Sequence, residues 1–323
     1  MNTSLTIAVL TYHRLDRLPR TVESLLQQID SLSTNARLDF DCRVLVVDNA
    51  PVSEASDIVA LRPEIIDYQH EPRPGISAAR NRALDESPNS TLLIFVDDDI
   101  VPLPGWLEQM LLTWKKFKCE AVVGHVVSTF EAEPDPWLVS GRFFIRQQRA
   151  TGTQLSAAAS HNLLLFLPFV RKYNLRFNES LGLIGGEDSL FSKEMIKHGG
   201  SIRWCNEARS QDPVPNDRAT RGWVRRREFR IGSSEALISL FLASDRDRLK
   251  LRAWCFINGV GRVVFGGIRN LLGKLTSNLD HESRGARTVF RGGGYIIGSF
   301  GLTYFEYGRG RRGIRRVPLD FFG

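Results

Sequence analysis

Apolar positions in the first hundred residues come in short runs, each closed by a polar turn. Residues 6–10, 43–47, 65–70 and 92–96 are rich in β-branched and aliphatic side chains and read as buried strands. Between them, residues 18–28 are amphipathic and helical, 53–61 follow a polar turn as a second helix, and Gly75 opens a helix that runs to Leu84. Strands alternating with helices predict a parallel sheet. Ligands of such sheets bind beyond the carboxyl ends of the strands. Further along, the pattern predicts a helix over 106–117, a strand over 121–128, a Pro-containing loop over 131–137 and a strand over 161–167. A helix over 188–198 stops at Gly199-Gly200, and 201–205 reads as the last strand. A basic stretch, 218–230, follows.

The strand at 92–96 ends in Asp97-Asp98-Asp99. Three adjacent carboxylates repel one another, and a core gains nothing from them. A divalent cation carrying phosphates would offset the repulsion. Side chains alternate in extended backbone, so Asp97 and Asp99 share a side. The bland alternative is a solvated acidic loop.

Three further segments carry candidate chemistry, each with a plain structural reading beside it. In Gly185-Gly186-Glu187-Asp188, two acids open a helix and gain from its dipole. Asp188 is either a simple N-cap or a rigidly held base, and the two roles are compatible. In 75–84, a glycine turn and small residues let a substrate approach, and Arg80 and Arg82 either face a diphosphate or lie on an ordinary helix. Asp48 closes the second strand, as an acceptor for a nucleobase or ribose or as an Asx-turn residue before Pro51. His13, His161 and His198 lack ligand spacing and read as ordinary loop, strand and helix-end residues.

Charge changes the picture only for the tail. The chain has 323 residues and a net charge of +7, but residues 1–232 hold 28 basic and 29 acidic side chains, against 15 and 7 in residues 233–323. A cationic tail points to nucleic acid or to an anionic membrane. Its sequence favours the membrane. Residues 251–273 are largely apolar but broken by Arg262 and Arg269, which share a helical face. Residues 292–305 form a shorter Gly-rich apolar run. Neither supplies the roughly 18 uncharged residues of a simple spanning helix, so interfacial or re-entrant helices fit better. A helical subdomain packed on the core is the other reading. The four cysteines are scattered, which argues against a zinc site or disulfide framework and suits a reducing compartment. The apolar run near the N-terminus is short and lacks a basic leader, so no signal peptide is expected.

Taken in order, residues 6–14, 44–49, 75–84, 95–99 with Pro102 and Trp106, 177–188 and 218–227 resemble the inverting family 2 glycosyltransferases. The tail is similar to that of bacterial exopolysaccharide (succinoglycan-type) enzymes. The resemblance implies a GT-A fold: an α/β, Rossmann-like, mixed but mostly parallel sheet flanked by helices. It implies a catalytic domain over 1–232 and a basic, amphipathic helical region over 233–323. It implies sugar transfer, with inversion, from a nucleotide-diphosphate donor such as a UDP-sugar to a glycan or polyprenyl-linked acceptor, in cell-surface polysaccharide synthesis at the inner face of the plasma membrane. Thr11, Asp48, Arg80, Asp97 and Asp98 would then line the nucleotide. Asp99, with Asp97, would hold Mg2+ or Mn2+. Asp188 would be the base and Glu187 would shape the acceptor site. Many relatives carry a histidine metal ligand after the last strand, where this chain reads Ser210-Gln211-Asp212-Pro213. Asp212 would substitute, or the metal would rely on Asp99 and phosphate. Rival readings are a nucleotidyltransferase, disfavoured because 11–17 has no glycine, an inactive sugar-nucleotide binder, and a nucleic-acid-binding protein, disfavoured by the near-neutral balance of 1–232.

Overall fold

A computed structural model describes residues 3–33, 38–146, 148–182, 185–305 and 313–317. The first elements are β1 (Thr3–Thr11), α1 (Leu18–Ser33), β2 (Phe40–Asp48), β3 (Ile66–His70), α2 (Ile76–Asp85) and β4 (Leu92–Asp97). Then come β5 (Val101–Pro102), α3 (Trp106–Phe117), β6 (Ala121–Phe130), α4 (Pro136–Ser140), β7 (Asn162–Phe166), α5 (Leu167–Lys172), α6 (Glu187–Lys197) and β8 (Ile202–Val214). The chain continues through α7 (Arg221–Leu242), α8 (Asp245–Leu275), α9 (Leu279–Ser299), β9 (Leu302–Phe305) and β10 (Gly313–Arg316). Its contacts divide it into two compact units: Met1–Ser128, Arg146–Gly182 and Glu187–Pro213 form one, and Thr129–Ile145, Leu183–Gly186 and Val214–Gly323 the other. Residue 232, the boundary expected from sequence, lies inside α7, and the division falls before that helix.

The first unit is built on a mixed sheet in the order β3-β2-β1-β4-β7-β6-β8-β5. Strands β3, β2, β1 and β4 run parallel, and β7 joins β4 antiparallel. Strands β1, β2 and β4 are covered on both faces, which is why they read as nearly continuous apolar runs. Along β1 the pleat divides the side chains. Ile7 and Val9 join α1 and α3 in one layer, with Val22, Leu25 and Met110. Ala8 and Leu10 join α2 and α6 in the other, with Ala79, Ala83, Phe191 and Met195. Register then fixes what meets at the strand ends: Thr11 pairs with Asp48, and Leu10 with Asp97.

Two expected elements differ. Residues 53–61 form only a 3-10 turn, Ser56–Leu61. The last strand does not stop at Cys205 but runs to Val214. Its second half buries small or polar side chains such as Ala208 and Ser210, so no apolar alternation marked it.

In the second unit, α4 is capped by Asp135, whose carboxylate accepts from the Trp137 N–H at 2.9 Å, with Pro136 at the first helical position. Trp137 stacks on Phe143, and Phe144 on Trp223 of α7. Glu228 of α7 is buried but paired with Arg287 and Arg291 of α9. Helix α8 lies on α9 through glycines spaced seven apart. A Cβ on Gly259 would sit 2.9 Å from the Gly292 carbonyl oxygen, and one on Gly266 would sit 2.8 Å from that of Gly285. Gly273 meets the Glu282 backbone in the same way. The apolar run at 292–305 splits into the end of α9 and strand β9, which pairs antiparallel with β10. Among the described residues no helix is long and apolar enough to cross a membrane.

Gly124 of β6 tests the packing of the sheet. A Cβ there would meet the Asn162 amide and come within 2.7 Å of the Ala208 carbonyl oxygen. Gly124→Ala is expected to lower stability by about 1–3 kcal/mol. Urea unfolding at constant m-value measures it.

Candidate active site

The site is assembled at the carboxyl ends of β1, β2 and β4. Asp48 is fully buried. Its Oδ1 accepts from the Ala50 N–H at 2.9 Å, and its Oδ2 from the N–H groups of Glu54 and Ala55 and the Tyr68 hydroxyl. Burial opposes its charge, but these donors hold the carboxyl below its ordinary range. Asp48 thus organises the loop after β2, as an Asx-turn residue does. Asn49 does the same for the next loop. It donates to the Glu71 and Arg73 carbonyls and accepts from the Gly75 N–H.

That clamp sets the start of α2, which carries Arg80. Arg80 is 5% exposed and donates to Glu187 Oε1 at 2.5 Å. Its guanidinium rests on the Phe177 ring at 5.3 Å. The neighbouring Asn81 exchanges two hydrogen bonds with the Phe177 backbone. Burial disfavours the Arg80 charge, and the carboxylates of Glu187, Asp97 and Asp188 more than compensate. Acids that lie ninety residues apart in the chain therefore flank one guanidinium.

Asp188 is half-buried in the first turn of α6. It lies one residue inside the helix, so it is not the N-cap. Its Oδ1 accepts from the Ser189 N–H at 2.7 Å. Burial and the adjacent Glu187 raise its pKa, against the pull of Arg80 and of the Ser189 and Ser160 N–H groups. The other Glu187 oxygen is buried without a protein partner, and the Thr11 side chain lies beside the Asp98 carboxylate.

Asp97 stands at the tip of β4. Burial pushes its pKa up to about 7, Arg80 opposes this, and Asp99 and Asp98 add to it. Asp98 and Asp99 turn instead to Arg14, whose Nη1 donates to them at 2.8 and 2.6 Å. Sequence reasoning passed over Arg14, a cation in the turn after β1. It read His161 as an ordinary strand residue and passed over Arg146. The β4–β7 ladder ends with Val96 paired to Asn162, and His161 is the residue just before β7. Arg146 donates to His161 Nε2 and, at 2.6 Å, to Asp212. A guanidinium therefore holds Asp212, and the imidazole at this edge comes from β7's entry, not from β8. No sequence spacing links these residues, because only the register brings them together.

Among the described residues no three side chains converge as a ready-made metal cage. Two hard carboxylates at a strand tip, completed by substrate phosphates and water, are nonetheless a sufficient donor set for Mg2+ or a similar ion. Such an ion would also relieve the mutual repulsion of Asp97, Asp98 and Asp99, so the residues fit.

Residues 6–173 match the family model "Glycosyl transferase family 2". The chain belongs to glycosyl transferase family 2. It is a glycosyltransferase. It is 35% identical over 232 residues to the Succinoglycan biosynthesis protein ExoM of Rhizobium meliloti (strain 1021), covering 71% of this chain and 72% of that protein. Its fold is similar to that of S. aureus TarS 1-349, with a TM-score of 0.52 at 14% identity over 96% of this chain and 98% of the other. It is also similar to GalNAc-T7 solved with UDP, GalNAc and Mn2+, with a TM-score of 0.50 at 15% identity over 78% and 54%. These likenesses show the GT-A-type fold expected from the sequence.

The raised pKa of Asp97 has a stability consequence. A carboxylate with a folded pKa above its unfolded value favours the fold fully only below about pH 4. That contribution is lost as pH rises through about 7. In metal-free buffer, Asp97→Asn is expected to raise stability by about 1–3 kcal/mol at pH 8 and by nothing at pH 4. Thermal melts at the two pH values read it.

Proposed function

We propose that this glycosyltransferase moves a sugar from a UDP-linked donor to a glycan or polyprenyl-linked glycan with inversion, in the synthesis of an extracellular polysaccharide. The observation that carries the reading is Arg80, ion-paired with Glu187 and within the electrostatic reach of both Asp97 and Asp188. It supports a donor diphosphate near the first carboxylate and an acceptor hydroxyl near the second. The relative's role in succinoglycan biosynthesis supports the product class.

The chain's own residues then do the following. The loops ordered by Asp48 and Asn49 frame the nucleobase and ribose, with Thr11 and Asp98 beside them. Asp97 and Asp99 hold the divalent ion, which when bound supplies charge neutralisation to the leaving diphosphate. Arg80 keeps Glu187 and Asp188 in place. Asp188 takes the proton of the acceptor hydroxyl as that oxygen attacks the anomeric carbon. The bond to the diphosphate breaks on the opposite face, and the configuration inverts. The raised pKa of Asp188 suits a base working near neutrality. The free oxygen of Glu187 is suited to a second contact with the acceptor. A lipid-linked acceptor would bring the enzyme to the inner face of the plasma membrane.

Asp188→Asn is expected to keep UDP affinity while kcat falls at least about a hundredfold, the scale of general-base catalysis. Calorimetry with UDP and a radiolabelled transfer assay measure the two. Wild-type turnover by this variant would move the base elsewhere. Asp99→Ala is expected to remove the gain in UDP affinity that Mn2+ gives the wild type. An unchanged gain in calorimetric titrations would take Asp99 out of the ion site.

A further inference from the structure

Helix α8 has two unlike faces. One face is the glycine stripe that meets α9, with Cys255 buried beside it. On the other, Trp254, Ile257, Val264, Phe265, Ile268 and Leu271 are each more than half exposed. At 100° per residue these six fall on one side of the helix, away from Gly259, Gly266 and Gly273. From 253 to 273 the charged residues are Arg262 and Arg269. Both are half-buried and turned to α9: Arg262 stacks on Tyr295 at 4.5 Å and Arg269 pairs with Asp280. The outward face is therefore uncharged over about 20 residues, or roughly 30 Å. A soluble monomer rarely exposes a continuous apolar strip of that size.

Cations stand at both ends of the strip. Arg246 and Lys250 are exposed at one end and Lys274 at the other. The first eight residues of α8 hold four basic and two acidic side chains, the latter Asp245 and Asp247. The Asp247 carboxylate accepts from the Ser244 hydroxyl. A second copy laid antiparallel on the strip would set these cationic ends against Lys274, and a parallel copy would set each end against itself. Both arrangements bring like charges together. An anionic bilayer matches the sign at both ends and accepts the apolar face between them, with lysine and arginine heads reaching up to the phosphates.

We propose that α8 is a membrane-docking helix that lies in the plane of an anionic bilayer with this strip inserted among the acyl chains. The proposal deepens the reading of a lipid-linked acceptor and rests on it for its purpose, but its geometry stands apart from the active site.

The test is co-flotation of the full chain with phosphatidylcholine vesicles, with and without phosphatidylglycerol. The wild type is expected to float with the anionic vesicles and far less with neutral ones. The double variant Ile257→Glu, Phe265→Glu is expected to lose at least tenfold in partitioning. Val139→Glu, an exposed apolar position on α4, is expected to change nothing. Circular dichroism checks folding, and Ile268→Glu alone serves if the double variant is unfolded. A wild type that stays unbound, or glutamate variants that float equally, would overturn the proposal. So would a wild-type dimer that the glutamates dissociate, since a second copy would then cover the strip. UDP affinity, measured on the same samples, is expected to be equal in wild type and variants. Flotation without UDP binding would sink the donor reading and leave the docking surface standing.

Discussion

The buried guanidinium of Arg80 is the constraint on which the first unit's chemistry depends. It answers three carboxylates, those of Glu187, Asp97 and Asp188, that would otherwise repel one another at low dielectric. Such a network gains little stability over apolar packing, but removing the guanidinium would strand buried carboxylates at a cost of about 3–5 kcal/mol. Its return is positional. The Phe177 ring beneath Arg80 and the Asn81 clamp beside it leave the guanidinium one place to sit. The acids on β4 and α6 are then located relative to that point.

The same charge logic explains the rest of the strand tips. Each acid there is matched by a cation or by aimed N–H groups, and the one met least completely, Asp97, has the pKa nearest neutrality. Arg14 covers Asp98 and Asp99, Arg146 covers Asp212, and backbone donors cover Asp48. The site is thus poised with a local surplus of negative charge beside a buried Glu187 oxygen that lacks a protein partner.

Much of this was legible in the chain. β1, β2 and β4 are buried on both faces, so composition alone marked them, and a strand followed by acids marked the sheet edge. Strand β8 was half invisible because Ala208 and Ser210 bury without looking apolar. Among candidate residues, those inside compact motifs were singled out in the sequence: Asp97 to Asp99, and Glu187 with Asp188. Arg14, Arg146 and His161 were not, since their relevance arises from register and from loops that cross the sheet. Asp48 was seen as either a ligand contact or a turn former, and its four hydrogen bonds are those of the turn former. The change in charge lies inside α7, whereas the change in contacts precedes it.

The glycines of α8 carry a consequence for how this helix can evolve. Where backbone touches backbone at Gly259, Gly266 and Gly273, even one added methyl group would wedge the two helices apart. Those three positions are frozen by shape. The outward positions answer only to oiliness, and leucine, isoleucine, phenylalanine and valine can trade places there freely. One helix thus carries two unequal codes: an inner one that permits a single letter and an outer one that permits any synonym.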